Sequence, residues 1–348
     1  MTRSFEVGFE SAWAKRRINW DFTYYDNRTT DNVVPTGIST ATGYSSYLVN
    51  AGTTTGKGVE TKLNIIPIRT DNWELSVGGN YAYFNNKVES IAEGLEVLQL
   101  GAYTSGSSAG AGSYAVAGED FPVLRGTYYK RDDLGRIIVD PVTGYPSSDG
   151  TLKILGKAMP THTLGLNLDL TWKDLSFHTQ AEYRTGNYIY NAGGSTFDFS
   201  GAGYNTGIYN RDRFVIPNSS YWDEASQSYV ENTNITVRDG GPGYWSIAGP
   251  RTGIQENYIT SAAFWKIREM SVSYRIPKSF LAGQNVIKGA RVSVQGRNLF
   301  IWTPKSNVYT DPEYSDGNGS SNGNAIGLTN LGQTPPSRYV GFSVNLTL

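Results

Sequence analysis

Few residue groupings in this chain could do covalent or metal chemistry. There are 348 residues, with two histidines and no cysteine, so thiol catalysis, disulfides and thiolate metal sites are excluded. His162 and His178 stand too far apart and too alone to make a metal site by themselves. Asp311-Pro-Glu-Tyr-Ser-Asp-Gly-Asn-Gly-Ser320 has the oxygen density of a calcium loop. It lacks the acidic spacing and closing Glu of an EF-hand, so a flexible polar loop is the expectation. Asp132 and Asp133, with Glu119 upstream, could be imagined as a carboxylate pair for glycoside hydrolysis. Asp-Asp before Leu-Gly is turn chemistry, and that is the expectation here. No nucleophile elbow, phosphate loop or dinucleotide fingerprint occurs, so the sequence is not read as an enzyme and calls for no cofactor or metal. Asn27, Asn234 and Asn345 open glycosylation-like triplets, which are expected by chance. The net charge of −1 gives no electrostatic case for nucleic acid.

What remains is chemistry of recognition. Tyr221, Trp222, Tyr229, Tyr244 and Trp245 lie in the long segment 192–255, amid Asn, Asp and Arg. Aromatic faces beside amides and carboxylates can bind sugar or peptide backbone; the alternative is that they pack the loop on itself or on a partner. A second polar set, Asn167, Asp169, His178, Glu182 and Arg184, falls on one side of a regular alternation and is expected to face an aqueous lumen.

The elements that position these residues follow from that alternation. In 161–188, Leu164, Leu166, Leu168, Leu170, Trp172, Leu175, Phe177, Ala181 and Tyr183 share one face. Period-two patterning marks strands with one apolar and one polar side. A soluble sheet can do the same with its apolar face in a core. Here the polar side is charged and amide-rich over a whole hairpin, as a membrane barrel requires. The same pattern predicts strands at about 3–13, 18–30, 57–70, 73–88, 264–276, 290–301 and 339–348. The phase slips between Trp265/Ile267 and Met270/Val272/Tyr274, which predicts a β-bulge near Arg268-Glu269. Pro277 ends that strand. About nine strands result, each near the length a tilted transmembrane strand needs. Their connections alternate short and long, as periplasmic turns and external loops do. Residues 104–113 are Gly- and Ser-rich and expected to be flexible, and 131–136 predicts a tight turn in a small hairpin between 128–129 and 137–139.

Composition agrees. Aromatics make up 13% with 24 Tyr and 8 Trp, charged residues only 18%, and no apolar run is long enough for a spanning helix. The expected fold class is therefore all-β: an antiparallel transmembrane β-barrel, present in part, with long extracellular loops. The last strand runs towards the periplasm. An odd count beginning on a downward strand predicts that wall is missing before residue 1, since such barrels have even strand numbers. Residues 1–10 enter a strand at once, with no charged, apolar and cleavage regions of a signal peptide.

Several motifs carry a family resemblance. Asn257-Tyr-Ile259 followed by Phe264-Trp-Lys-Ile-Arg-Glu-Met-Ser-Val-Ser-Tyr-Arg-Ile-Pro277 resembles a signature of the SusC/RagA family of TonB-dependent outer-membrane transporters. Gly296-Arg-Asn-Leu-Phe300, Asp311-Pro-Glu313 and Pro336-Ser-Arg338 follow in family order. Lys57-Gly-Val-Glu60, Asn85-Asn-Lys-Val88, Glu119-Asp-Phe-Pro122, 156–160, Gly186–Asn191 and Asn210–Asn218 also match, so the resemblance covers essentially the whole chain. It implies that 1–348 is the C-terminal part of a twenty-two-stranded barrel in the bacterial outer membrane, with plug domain and signal peptide outside the sequence. It implies oligosaccharide or peptide import, a SusD-type surface lipoprotein as lid, contact with TonB through the missing N-terminal portion, and outer-membrane lipid around the wall. The final Leu348 departs from the aromatic that closes many barrels. Rival expectations are another outer-membrane barrel, such as an adhesin or export pore, and a soluble β-rich carbohydrate-binding protein.

Overall fold

In the computed structural model, the described residues are all but 38–40, 42, 44–45, 51, 103–110, 249–252, 282–285, 314–325 and 330–335. Nine long strands form one antiparallel meander: β1 (Thr2–Trp13), β2 (Ile18–Thr29), β3 (Thr53–Arg69), β4 (Trp73–Ser90), β5 (His162–Trp172), β6 (Leu175–Thr185), β7 (Phe264–Ile276), β8 (Gly289–Trp302) and β9 (Tyr339–Thr347). Each pairs with its sequence neighbour, in the order β1 to β9. The sheet is open within this chain, because β1 and β9 each pair on one side only. No helix among the described residues is long and apolar enough to cross a membrane.

Register confirms the faces read from the alternation. Leu164, Leu166, Leu170 and Trp172 stand opposite Tyr183, Ala181, Phe177 and Leu175, while Asn167 and Asp169 stand opposite Gln180 and His178. On the apolar face Phe5, Val7, Phe9, Leu63, Val77, Leu166, Val272, Val294, Phe342 and Val344 remain exposed. A surface of this extent calls for an apolar cover, and with a charged, amide-rich opposite face it fits hydrocarbon. Aromatic rings bound it at both ends. Trp73 and Trp172 stack with centroids 5.4 Å apart near the short turns, and Tyr183 and Trp265 stack at 4.8 Å near the long loops. From Leu164 to Trp172 the strand covers about 27 Å, or about 20 Å of height at a tilt of about 40°, close to the apolar band of an outer-membrane wall.

Two strands break regularity where the sequence demands it. In β7 the pairing with both neighbours skips Arg268, the bulge predicted from the phase slip. The extra residue lets Arg268 and Glu269 both face inward and returns Met270, Val272 and Tyr274 to the lipid side. In β3 the register slips between Ile65 and Ile68, around Pro67, which cannot donate to the ladder. That irregularity was not expected from the alternation.

The long connections fold into their own layer. Val97–Ala102, Gly112–Val116, Val123–Gly126 and Lys153–Lys157 make a four-stranded sheet. Of the Gly/Ser-rich stretch 104–113, residues 104–110 lie outside the described residues, whereas Gly112 and Ser113 begin a strand. The 131–136 turn closes with Asp132 N donating to Arg136 O at 3.0 Å. Beyond it Ile137–Ile138 pairs in parallel with Ser219–Ser220, so the expected small hairpin is drawn into a three-stranded sheet with Ser219–Asp223 and Ser228–Glu231. The segment 30–56, expected as loop, carries a short hairpin of Val33–Gly37 with Ser46–Asn50.

Candidate functional site

The inner wall presents amides at close spacing. Asn167 and Asp169 come from β5, and His178, Glu182 and Arg184 from β6, on the polar face. Asp169 Oδ1 and His178 Nδ1 lie 2.6 Å apart across the pair. A depression of about 450 Å³ is lined by Asn19, Asp21, Lys62, Asn64, Ser76, Asn167 and Asp169. A second, of about 340 Å³, adjoins it through Asn167 and reaches Asn80, Gln180, Glu182 and Arg268. Glycine makes room for these amides: a Cβ on Gly78 would stand 2.5 Å from the Asn167 Oδ1.

Above this floor the charges converge. Lys266, on the strand before the bulge, is nearly fully buried, and its Nζ donates to Asp311 Oδ2 at 2.7 Å and Glu313 Oε2 at 2.5 Å. Arg268, on the bulge itself, grips both carboxylate oxygens of Glu313 with its two terminal nitrogens and donates its Nε to Glu182 Oε2 at 2.6 Å. Arg184 pairs with Glu182 and reaches Glu313 at 3.5 Å. The cations Arg184, Lys266 and Arg268 thus meet the carboxylates Glu182, Asp311 and Glu313 with no net charge. All three cations also lie over the buried Phe264 ring, at 5.2 to 5.8 Å from its centroid. A buried ammonium is tolerated only when paired in this way. For Glu313, burial pushes the carboxyl up, but Arg268 and Lys266 outweigh it and hold it down at about 2.

The expectation of a flexible polar loop at 311–320 is therefore corrected at its start: Asp311 and Glu313 are clamped to the wall, because their charges neutralise the bulge. Residues 314–320 lie outside the described residues. No cluster of three His, Asp or Glu able to hold a metal occurs among the described residues.

The external layer has a buried polar interior. Tyr190 Oη donates to Gln255 Oε1 at 2.6 Å, and Asn191 Nδ2 donates to Thr260 Oγ1 at 3.0 Å. The helix α1 (Ala192–Ser200) carries Asp198, fully buried. Its Oδ2 accepts from Tyr258 Oη at 3.1 Å and Asn205 Nδ2 at 3.2 Å, and Asn205 also donates to Tyr309 Oη at 2.6 Å. Burial raises the Asp198 carboxyl, partly opposed by Asn205 and Tyr258. Burial also lifts the Tyr258 phenol, with the Asp198 charge adding to it. Tyr129, bonded to Asn257 Oδ1 at 2.8 Å, is pushed up to about 12 by burial against the pull of that hydrogen bond. These phenols stay protonated at any physiological pH and serve as fixed donors.

The aromatics singled out from the sequence separate into two groups. Tyr244 and Trp245 are buried with Val139, Ile216 and Val237, and Tyr221 packs partly buried against them. Trp222 and Tyr229 are exposed, opposite each other on the same hairpin, with an edge-to-face contact at 5.2 Å. Trp245 also borders a pocket of about 360 Å³ with Phe199, Arg211 and Pro242. Asp132 serves its turn, accepting from the amides of Leu134 and Arg136 and from Arg136 Nε. His162 lies on the outward face, its Nδ1 2.7 Å from Tyr81 Oη.

Sequence reasoning passed over Asp198, Asn205, Gln255 and Tyr309, whose partners are distant in the chain. It also missed that Lys266-x-Arg268 and Asp311-x-Glu313 are complementary charges at the same two-residue spacing, a signal that was there to be read.

No family model matches the sequence. The chain is 24% identical over 99% of its length to TonB-dependent receptor P26 of Formosa agariphila, and 23% identical over 99% to TonB-dependent receptor P3 of the same organism. It spans about a third of the length of these curated relatives, 34% in each case. Among solved structures it resembles a chain of the RagAB peptide transporter, with a TM-score of 0.67 at 20% identity, over 99% of this chain and 35% of that one. The RagAB peptide importer in its open-open state gives 0.66 at 19% identity. These similarities agree with the resemblance drawn from the motifs: over 99% of its length the chain is similar to curated TonB-dependent receptors, and its fold is that of the corresponding part of the RagAB transporter chain.

Proposed function

We propose that this chain supplies nine strands of wall and a folded external layer to a transporter that imports oligosaccharides or peptides across the outer membrane. The observation that carries the reading is the meander itself. Lipid-facing residues stand outside, amides and charges inside, and the long connections gather in a structured layer at one end. A wall so built surrounds water and presents recognition groups above it. The full-length similarity to TonB-dependent receptors supports active import with energy from TonB, acting through polypeptide beyond this stretch of the relatives. The likeness to the RagAB transporter supports a SusD-type surface lipoprotein over the external layer. The residues here bind, line and guide.

Ligand contact is assigned to the exposed pair Trp222 and Tyr229, with the inner-wall row Asn167, Asp169, His178, Glu182 and Arg184 lining the path. Tyr221, Tyr244 and Trp245 hold the loop in shape behind that pair. Calorimetric titration of the protein, with its lipoprotein partner, against panels of oligosaccharides and of peptides tests this. Trp222→Ala with Tyr229→Ala should weaken the binding ligand at least tenfold, as loss of two stacking faces would. Unchanged affinity would remove the pair from the site, and no binding by either panel would remove the import reading.

A further inference from the structure

We propose that the outward rim of β1–β4 binds a phosphate-bearing lipid headgroup of net negative charge through Arg3, Arg28, Lys57 and Lys87. Register places these residues together. Arg3 stands opposite Arg28, Arg28 opposite Thr55, and Thr55 opposite Lys87, one row across four strands. One row nearer the membrane centre run Phe5, Asp26, Lys57 and Asn85, and the next holds Val7, Tyr24, Val59, Tyr83 and His162. Residues two apart on a strand share a face, so all of these look outward with Phe9, Phe22 and Leu63 below them.

Four cations thus sit directly above an aromatic belt, at the end of the wall that carries the long loops. Two carboxylates answer them: Asp26 at 3.0 Å from Lys57, and Glu89 at 2.7 Å from Arg28. Arg3 and Lys87 form no ion pair among the described residues. The Arg28 and Lys57 side chains remain 55% and 60% exposed. Two guanidiniums in direct cross-strand opposition repel each other unless an anion lies between them. Arginine forks suit phosphate oxygens, and three strand spacings make the row about 14 Å wide, room for a headgroup to lie along it. The source is a lipid rather than free phosphate because the cationic row runs without a break into the apolar face: acyl chains below the phosphate would lie on Phe5, Val7, Phe9 and Tyr24.

The test is native mass spectrometry of the protein isolated from outer membranes in detergent. Phosphatidylglycerol, phosphatidylcholine of the same chains, and inorganic phosphate are added in separate arms. Each surface cation contributes roughly fivefold to binding an anionic headgroup. The wild type should therefore prefer phosphatidylglycerol by at least tenfold, Arg3→Gln with Lys87→Gln should bring the preference near unity, and Lys15→Gln with Arg16→Gln at the opposite end should leave it unchanged. Should the double rim variant fail to fold, salt on the wild type decides: the preference must fall between 0.05 and 0.5 M NaCl, as screening requires. Retained preference in the rim variant, equal loss in the turn variant, indifference to salt, or full displacement by millimolar inorganic phosphate would each overturn the proposal.

Discussion

Replacing Glu313 by Gln should release the loop after β8 from the wall, and the size of the effect follows from the charges around it. Glu313 is held by Lys266, by both terminal nitrogens of Arg268, and more distantly by Arg184. Its side chain is 21% exposed, so solvent screens these contacts only in part. Its carboxyl lies at about 2 rather than 4.5. At 1.36 kcal/mol per pH unit that difference corresponds to about 3 kcal/mol favouring the charged form in the folded protein. The glutamine keeps some hydrogen bonding, while Asp311 and Glu182 still offset the cations, so the expected loss is about 1–3 kcal/mol. The sign with pH is fixed. A depressed carboxyl stabilises fully above its unfolded value near 4.5 and loses that contribution as pH falls from there towards 2. Hydrogen exchange at the amides of Asn307, Tyr309, Thr310 and Glu313, all bonded within the loop, reads local opening. In the variant these amides should exchange on the order of ten- to a hundredfold faster at pH 7. The difference between wild type and variant should shrink as the pH is lowered below 4.5. Equal exchange at pH 7, or a difference that does not close in acid, would refute the assignment of Glu313 as the charged clamp.

Two further outcomes test the wall. Leu168→Arg places a charge mid-strand on the lipid face and should destabilise by about 2–4 kcal/mol, read as a lower unfolding midpoint in detergent-free bilayers, whereas Asn167→Arg one residue away should cost far less; equal effects would reverse the assigned faces. Gly58→Ala would push a Cβ into the Tyr25 ring and to 2.7 Å from the Tyr83 carbonyl oxygen, so it should lower thermal stability by roughly 1–3 kcal/mol, and a neutral result would show that the ring has room to move.

The wall was legible because its information is local. Period two fixes a face within a few residues, and register follows once one face must meet lipid. Even the bulge at Arg268 showed in the sequence, since a slipped phase leaves a mark at the slip. Pro67 left no such mark, because Ile65, Ile66 and Ile68 are apolar on either phase. The external layer was not legible for the opposite reason. Asp198 meets Tyr258 sixty residues away, and Tyr129 meets Asn257 at a separation of 128, with no periodicity between them. Tyr244 and Trp222 look alike as loop aromatics, yet one is buried with Val237 and the other stands exposed. Only tertiary packing distinguishes them.

The bulge is where the wall and the external layer meet. A regular strand would alternate Lys266 inward, Ile267 outward, Arg268 inward and Glu269 outward, and would then turn Met270 into the lumen. One unpaired residue removes that conflict and leaves Lys266 and Arg268 together on the inner face as a cationic fork. Asp311 and Glu313 supply the matching anionic fork from the loop that follows β8, and Glu182 with Arg184 on β6 completes the neutral set. Because Tyr309, two residues before Asp311, also bonds Asn205 beside the buried Asp198, the same short loop couples the inner wall to the helix of the external layer. Tyr309, Asp311 and Glu313 thus make one continuous set of contacts between the helix of the external layer and the inner wall.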